Sequence, residues 1–432
     1  MTSVVTPPGG GRTHIDVVDP IHGYIRVFDR EIAVMDHPLF QRLRRIRQLS
    51  GAHLTYPSAQ HTRFEHSLGT MHIASQAGHM LVDKGMMDAD RLALLRLAAL
   101  LHDIGHGPFS HLFEELLLQR GHTSHEEFGK RIMLESEIGD ILGRYGFDKE
   151  RVAEIAFGTS VHSYMNQIVS GALSADMMDY LLRDSHFTGA QLGRIEHQRI
   201  IQSFDVYDGE LAIERSALYS FESMMHARYQ MFRAVYFHRS VRAAEVMLLE
   251  ALRMYDARFG LTTFDLGRLP DLTDERVLGA IAMADDPGLA RAKALATGYQ
   301  NRRLLKCVFE SIVTSRRKLQ RIRPGRLRSD LSAASGVAED DIFVDSSVTP
   351  SIPLAPSKSE SSYILVVPTA SGAGRDDGGA GAGRLGAERM PISDMPSVHA
   401  ISGFMNILRV YTSSAHRNKV EIATRRMLDD IS

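Results

Sequence analysis

Residues 92–101, LALLRLAALL, form the longest apolar run in the chain, broken only by Arg96. A ten-residue run is too short to cross a bilayer, which takes roughly 20 apolar residues as a helix. Apolar on nearly all sides, it predicts a helix at the centre of a helical core. The run continues directly into His102-Asp103-Ile104-Gly105-His106-Gly107-Pro108. An unpartnered carboxylate beside an apolar helix is costly. Either these groups form a hydrogen-bonded core pair, or they ligate something.

Histidines are concentrated here. Of 20 in the chain, ten lie between His53 and His125, half of them in a sixth of the length. His66, in HTRFEHSLGT, is predicted to sit on a helix. His102 and Asp103 are neighbours, and imidazole with carboxylate suits a divalent ion (Mn, Fe, Mg, Zn, Ni or Co). Cys307 is the only cysteine, which excludes a structural thiolate zinc site and any disulfide within the chain. A further ligand is expected from SADMMDYLLRDS. There Asp176, Asp179, Tyr180, Arg183 and Asp184 fall at helical spacing on one face, with Met177, Met178, Leu181 and Leu182 beside it. That face reads either as a pocket wall or as a solvated face with an Asp–Arg pair, and spacing alone leaves both open.

His106, His111 and His125 exceed the needs of one ion. Histidines next to a metal act as general acids or, when protonated, as phosphate contacts. His111 precedes Glu114 by three residues, a spacing that lets a carboxylate orient the ring, and Glu126 follows His125. Arg63 precedes His66 by three. Metal, histidines and arginine together describe a phosphate-ester hydrolase. No Gly-x4-Gly-Lys-Ser/Thr loop is present, which excludes a P-loop NTPase. His53, His61, His72, His79 and His122 are each expected as surface or core residues.

A mainly α fold is expected. Residues 1–13 read as a disordered tail, and 14–265 as a helical core preceded by a short hairpin within 15–29. Leu39, Leu43, Ile46 and Leu49 make an apolar helical stripe, and 31–265 reads as helical throughout. Residues 266–432 form a smaller mixed α/β lobe, with strands within 341–367, a glycine-rich flexible loop at 369–387 and helical periodicity over 395–430. Lys and Arg number 50 against 52 Asp and Glu, so overall charge does not select nucleic acid. Residues 302–328 nonetheless hold ten basic residues and one acid, a patch suited to weak single-stranded nucleic-acid binding. The first residues lack the apolar segment of a signal peptide. With a single cysteine and no membrane span expected, the setting expected is cytoplasmic.

The segments DPIHGYI, FQRLRRIRQL, HTRFEHSLGT, LLHDIGHGPFSH, SHEEFG and DMMDYLLRDS occur in this order. Together they resemble the deoxynucleoside-triphosphate triphosphohydrolases of the HD-domain superfamily, over roughly residues 15–310 with a weaker echo at 395–430. The pattern is nearest to the sterile-alpha-motif/HD-domain branch and its bacterial homologues, although no sterile-alpha-motif segment is read here. The resemblance implies an HD-domain helical core and hydrolysis of a dNTP to deoxynucleoside and tripolyphosphate. It implies His66, His102, Asp103 and Asp176 as metal ligands. His111 would be the general acid, with Glu114 behind it. His106, His125 and Arg63 would contact the α-phosphate, and Arg228 the terminal phosphate. Gln48 and Asp184 would read the 3′-hydroxyl, Tyr180 would pack on the sugar, and Tyr236 would exclude a 2′-hydroxyl.

Met177 stands where the family often carries a lysine for the terminal phosphate, which leaves room for a mono- or diphosphate substrate. The resemblance further implies a homo-oligomer, dimer or tetramer, with a GTP or dNTP effector at Asp36, Gln41 and Arg44 and at His238, Arg239, Arg302 and Lys306. An ordinary dimer contact accounts for the same Q-R-L-R segment. Two other readings compete: a nucleotidase or phosphodiesterase on the same core, and a nucleotide- or nucleic-acid-binding protein with little hydrolysis.

Overall fold

Two long helices carry the core. Arg63–Asp83 (α1) opens on a capping box between Thr62 and Glu65. Ala89–Leu101 (α2) opens on Asp88, whose side chain accepts the Arg91 N–H. Every residue from Ala93 to Leu101 is buried, as the apolar run requires. Arg96 is buried as well. Its guanidinium meets both Glu31 carboxylate oxygens at 2.7 Å, Ser75 Oγ at 2.6 Å and the Arg26 carbonyl at 2.8 Å. The one charge inside the run thus ties α2 to α1 and to the N-terminal hairpin.

The structure, a computed structural model, describes residues 14–119, 124–158, 160, 163–263, 265–312, 323–350, 363–369, 386–399, 401 and 404–428. It is mainly α, with small sheets and a mixed C-terminal lobe. The hairpin of His14–Asp19 (β1) and Gly23–Phe28 (β2) is antiparallel, from His14 opposite Phe28 to Asp19 opposite Gly23. Around α1 and α2 stand His111–Gln119 (α3), His125–Glu135 (α4), Ala175–Thr188 (α5), Leu218–Met231 (α6) and Arg239–Phe259 (α7). One continuous apolar core runs from the hairpin through α1, α2, α5 and α6. No helix among the described residues is long and apolar enough to cross a membrane.

Three expectations need correction. The stretch 31–265 is not wholly helical: Phe204–Tyr207 (β3) and Glu210–Glu214 (β4) form an antiparallel pair within it. The Leu39–Leu49 stripe is a short helix, Pro38–Gln41, then a 3-10 turn, Arg42–Arg45, after which the chain is extended at Ile46. There the fully buried Arg42 donates to the carbonyls of Ile104 and His106 instead of lying on a helix surface. The stretch 395–430 contains Phe404–Thr412 (β9), the central strand of the sheet β5–β9–β6, where β5 is Lys306–Ile312 and β6 Ile342–Pro350. Residues 407–412 of β9 are all buried, and a run buried on both faces has no alternation to set it apart from a helix.

Tyr363–Val367 (β7) pairs parallel with β4, and Glu388–Pro391 (β8) pairs with β7. The segment after 266 therefore contributes to two sheets, one of them shared with β3 and β4. The 1–13 tail and most of the 369–387 loop lie outside the described residues.

Candidate active site

Helix α2 stops at Leu101, and His102 and Asp103 sit in the turn beyond it. His102 Nδ1 donates to the Ala99 carbonyl at 2.8 Å, so its Nε2 carries the lone pair. On α1, His66 Nδ1 donates to Asp179 at 2.8 Å, which leaves Nε2 as the ring atom turned toward the same cluster. Both Nε2 atoms are buried without a hydrogen-bond partner. They converge with Asp176, the second residue of α5: His66 Nε2 lies 3.1 Å and His102 Nε2 3.8 Å from Asp176 Oδ1. Asp103 is within 3.6 Å of the first and 3.5 Å of the second. Two orphaned imidazole nitrogens facing two carboxylates fit a divalent cation of the hard-to-borderline class.

The electrostatics agree. Burial drives the His66 pKa down, but the Asp176 and Asp179 carboxylates outweigh it and lift it to about 10. Burial acts against ionisation of Asp103 and Asp176 as well, yet Arg63, His102 and His106 hold Asp103, and His102 and His66 hold Asp176, below the usual carboxylate range. The paired carboxylates therefore favour positive charge at this point, which a bound cation would supply.

A second cluster adjoins the first. His106 Nε2 is 3.2 Å from Asp103 Oδ1. The His106 and His125 rings stack at 4.0 Å, and the His106 and His111 rings meet edge-on at 5.5 Å. Glu114 holds His125 Nδ1 at 2.6 Å, and its other oxygen reaches His111 Nδ1 only at 3.5 Å. The carboxylate expected behind His111 is thus bonded more tightly to His125, while His111 itself is exposed. Glu126 is exposed on α4 and acts on His125 through space only. Phe109 and Ser110, just before His111, both take left-handed backbone, φ 57° and 50°. The Phe109 N–H is held by Asp274 and Ser110 Oγ by Arg63. Such strain costs about 1–3 kcal/mol per residue and persists only where neighbours impose it. Arg63 also donates to Asp103.

Two turns along α5 from Asp176, buried Asp184 accepts from Tyr236 Oη at 2.6 Å and from His61 Nε2 at 2.7 Å. Tyr236 ends a π-helical turn, Phe232–Tyr236, and meets Tyr180 edge-on at 6.4 Å. Burial lifts the Tyr180 phenol to about 12 and Tyr236 well above its ordinary value, so both stay neutral. Buried Arg228 lies 4.4 Å over the Phe232 ring and interacts with Tyr180. Gln48 donates its backbone N–H to the His61 carbonyl and keeps a buried, unpartnered Oε1. Asp179 and Arg183 form a fully buried pair, not a solvated face. Met177 is packed in the apolar core.

The suggested effector positions are local and peripheral. Arg44 Nε donates to Gln41 Oε1 at 2.9 Å, and Asp36 is exposed. Arg302 Nε donates to the Leu54 carbonyl, His238 caps α7 and packs on Tyr56, and Arg239 and Lys306 are exposed. Two residues assigned no role from the sequence stand beside the site: His61, on Asp184, and His22, on Asp179. Their only sequence signal is that His61 opens the segment HTRFEHSLGT and His22 lies within DPIHGYI.

A helical core thus brings His66, His102 and Asp176 together, with Asp103, His106 and His125 beside them, two groups that could each hold a metal ion. The chain matches the HD domain over residues 63–184 and the HD associated region over 195–363, and so carries an HD domain, a domain whose proteins are divalent-metal dependent, followed by its associated region. It is 37% identical over 239 residues to the uncharacterized protein YwfO of Bacillus subtilis, covering 54% of each chain. It is homologous to the human deoxynucleoside triphosphate triphosphohydrolase SAMHD1, at 30% identity over 71% of this chain and 58% of that one. It therefore spans little more than half the length of these two relatives. Among solved structures, a phosphohydrolase from Bacteroides thetaiotaomicron superposes with a TM-score of 0.71 at 26% identity, covering 93% of this chain and 100% of that one.

Proposed function

We propose that the chain is a metal-dependent dNTP triphosphohydrolase that converts dNTP and water to deoxynucleoside and tripolyphosphate. The observation that carries this reading is the span of α5. Asp176 joins the His66 and His102 cluster at one end, and at the other Asp184, bonded to Tyr236 beside Tyr180, makes a polar wall. A phosphate-ester site and a ribose-reading wall along one helix suit a nucleotide. Homology to SAMHD1 supports the same reading.

His66, His102, Asp103 and Asp176 would hold the divalent ion, which when bound lowers the pKa of a water and polarises a phosphoryl oxygen. His125, kept protonated by Glu114, contacts the α-phosphate oxygens together with Arg63 and with His106, which stacks on His125. The water oxygen joins the α-phosphorus as the bond to the 5′-oxygen breaks, and His111 gives that oxygen its proton. Arg228 meets the terminal phosphate, Gln48 and Asp184 read the 3′-hydroxyl, and Tyr180 packs on the sugar. Tyr236, held against Asp184, occupies the space of a 2′-hydroxyl. In the same reading, GTP or a dNTP binds at Asp36, Gln41 and Arg44 and at His238, Arg239, Arg302 and Lys306, and links copies of the chain into a dimer or tetramer. The basic segment adds weak single-stranded nucleic-acid binding, although 313–322 of it lies outside the described residues. The cytoplasm is the proposed setting.

Met177 favours a second reading, a nucleotidase or phosphodiesterase. Its buried apolar side chain leaves no cation next to Asp176 for a terminal phosphate.

The test is a mixture of the four dNTPs with Mn or Mg, with and without GTP, resolved by ion-exchange chromatography. Deoxynucleoside and tripolyphosphate are expected, formed faster when GTP is present. No turnover of any dNTP, with hydrolysis seen only when nucleoside monophosphates or phosphodiesters are supplied instead, would select the second reading, and a rate indifferent to GTP would remove the effector.

A further inference from the structure

The segment DPIHGYI, residues 19–25, has no part in the reaction above, yet it reaches the metal cluster from behind. Asp19 Oδ1 accepts the backbone N–H of Ile21 at 2.8 Å and of His22 at 2.9 Å, and Gly23 takes φ 73°. This tight turn between β1 and β2 sends the His22 side chain inward, where it is 2% exposed. His22 Nε2 donates to Asp179 Oδ1 at 2.7 Å. Arg183 donates to the same carboxylate through Nε at 2.8 Å and Nη2 at 3.0 Å, and its Nη1 is held by Asp19 Oδ2 at 2.9 Å.

A carboxylate accepts at about four lone-pair positions. Asp179 has four donors: His22, two from Arg183, and His66 Nδ1. All its positions are filled, so it has one orientation. That orientation fixes the His66 tautomer and ring plane, because an imidazole whose Nδ1–H is held presents only Nε2 outward.

We propose that His22 is a positioning residue for the metal centre: from the hairpin tip it completes the donor set that locks Asp179, and through Asp179 it sets the tautomer and aim of His66. This rests on the reading of His66 as a metal ligand. His22 touches neither ion nor substrate, so its effect belongs in metal affinity.

The experiment measures Mn(II) affinity of the full chain by chelator competition, alongside the Co(II) visible spectrum and the far-ultraviolet circular dichroism of the metal-free protein. His22→Leu, which fills the space without a donor, is expected to bind Mn(II) roughly 10- to 100-fold more weakly with an unchanged metal-free fold. His22→Gln, whose amide donates to Asp179, is expected to recover most of that loss and the wild-type Co(II) spectrum. Wild-type affinity in His22→Leu, or equal losses in the two variants, would overturn the proposal. His102→Ala tests the site itself: if it binds Mn(II) as tightly as wild type, the metal reading fails, whatever His22 does.

Discussion

His106 and His125 stack 4.0 Å apart, yet their environments drive them in opposite directions. Burial, Arg63 and the neighbouring His125 push His106 well below the ordinary imidazole value. Burial acts the same way on His125, but Glu114, at 2.6 Å, more than reverses it and raises His125 above that value. The other groups facing His125 are Asp103, Glu126 and His106, and Glu114 is the one acid bonded to it. The imidazolium is lost as pH rises through the raised pKa. In Glu114→Gln the charge that raises it is gone, so the alkaline limb of kcat/KM is expected at lower pH than in wild type. A pH–rate profile with an unmoved alkaline limb would remove His125 from the protonated role. At this scale His102 and Asp103 were legible in the sequence because burying them is costly without a partner. His22 and His61 were not, because their partners lie 157 and 123 residues away along the chain.

Between elements, the site depends on how closely α1 and α5 approach. Gly69, one turn beyond His66, faces Asp179 and Arg183: a Cβ there would overlap Asp179 Oδ1 and stand 2.5 Å from Arg183 Nη2. Neither side chain has room to yield, since both are buried and fully bonded. Gly69→Ala is expected to cost about 1–3 kcal/mol in urea unfolding, the usual range for overpacking a core, and to weaken Mn(II) binding along with it. Unchanged stability and metal affinity would mean that the two helices separate without consequence. Helices at α1, α2 and α5 were legible from the HTRFEHSLGT segment, the apolar run 92–101 and the 176–184 spacing, and the structure starts them at Thr62, Asp88 and Ser174. The strands β3, β4 and β9 did not stand out. The first two are short, and β9 is buried on both faces, so neither a period of two nor polar residues marks it.

Over the whole molecule, the C-terminal lobe grips the segment that follows Tyr236. Arg409 on β9 donates to the Phe237 carbonyl at 2.6 Å, Tyr411 to the Arg239 carbonyl at 3.1 Å, and Arg242 pairs with Asp345 of β6 at 2.8 Å. Strands within 341–367 were legible at IFVD and YILVVP from their β-branched and aromatic residues, while the polar second half of β6, SSVTP, reads as turn. The parallel pairing of β7 with β4 was not, because strand partnership between distant segments leaves no local trace. In the proposed reaction, water attacks the α-phosphorus at the His66, His102, Asp103 and Asp176 centre and the triphosphate is released whole. Phosphorus NMR of a dNTP turned over in 18O-water with Mn(II) tests it most directly. The expected result is one 18O on a terminal phosphorus of tripolyphosphate, an unlabelled deoxynucleoside, and no turnover in Asp103→Ala. Label in orthophosphate, pyrophosphate or the nucleoside, or full activity in Asp103→Ala, would contradict it.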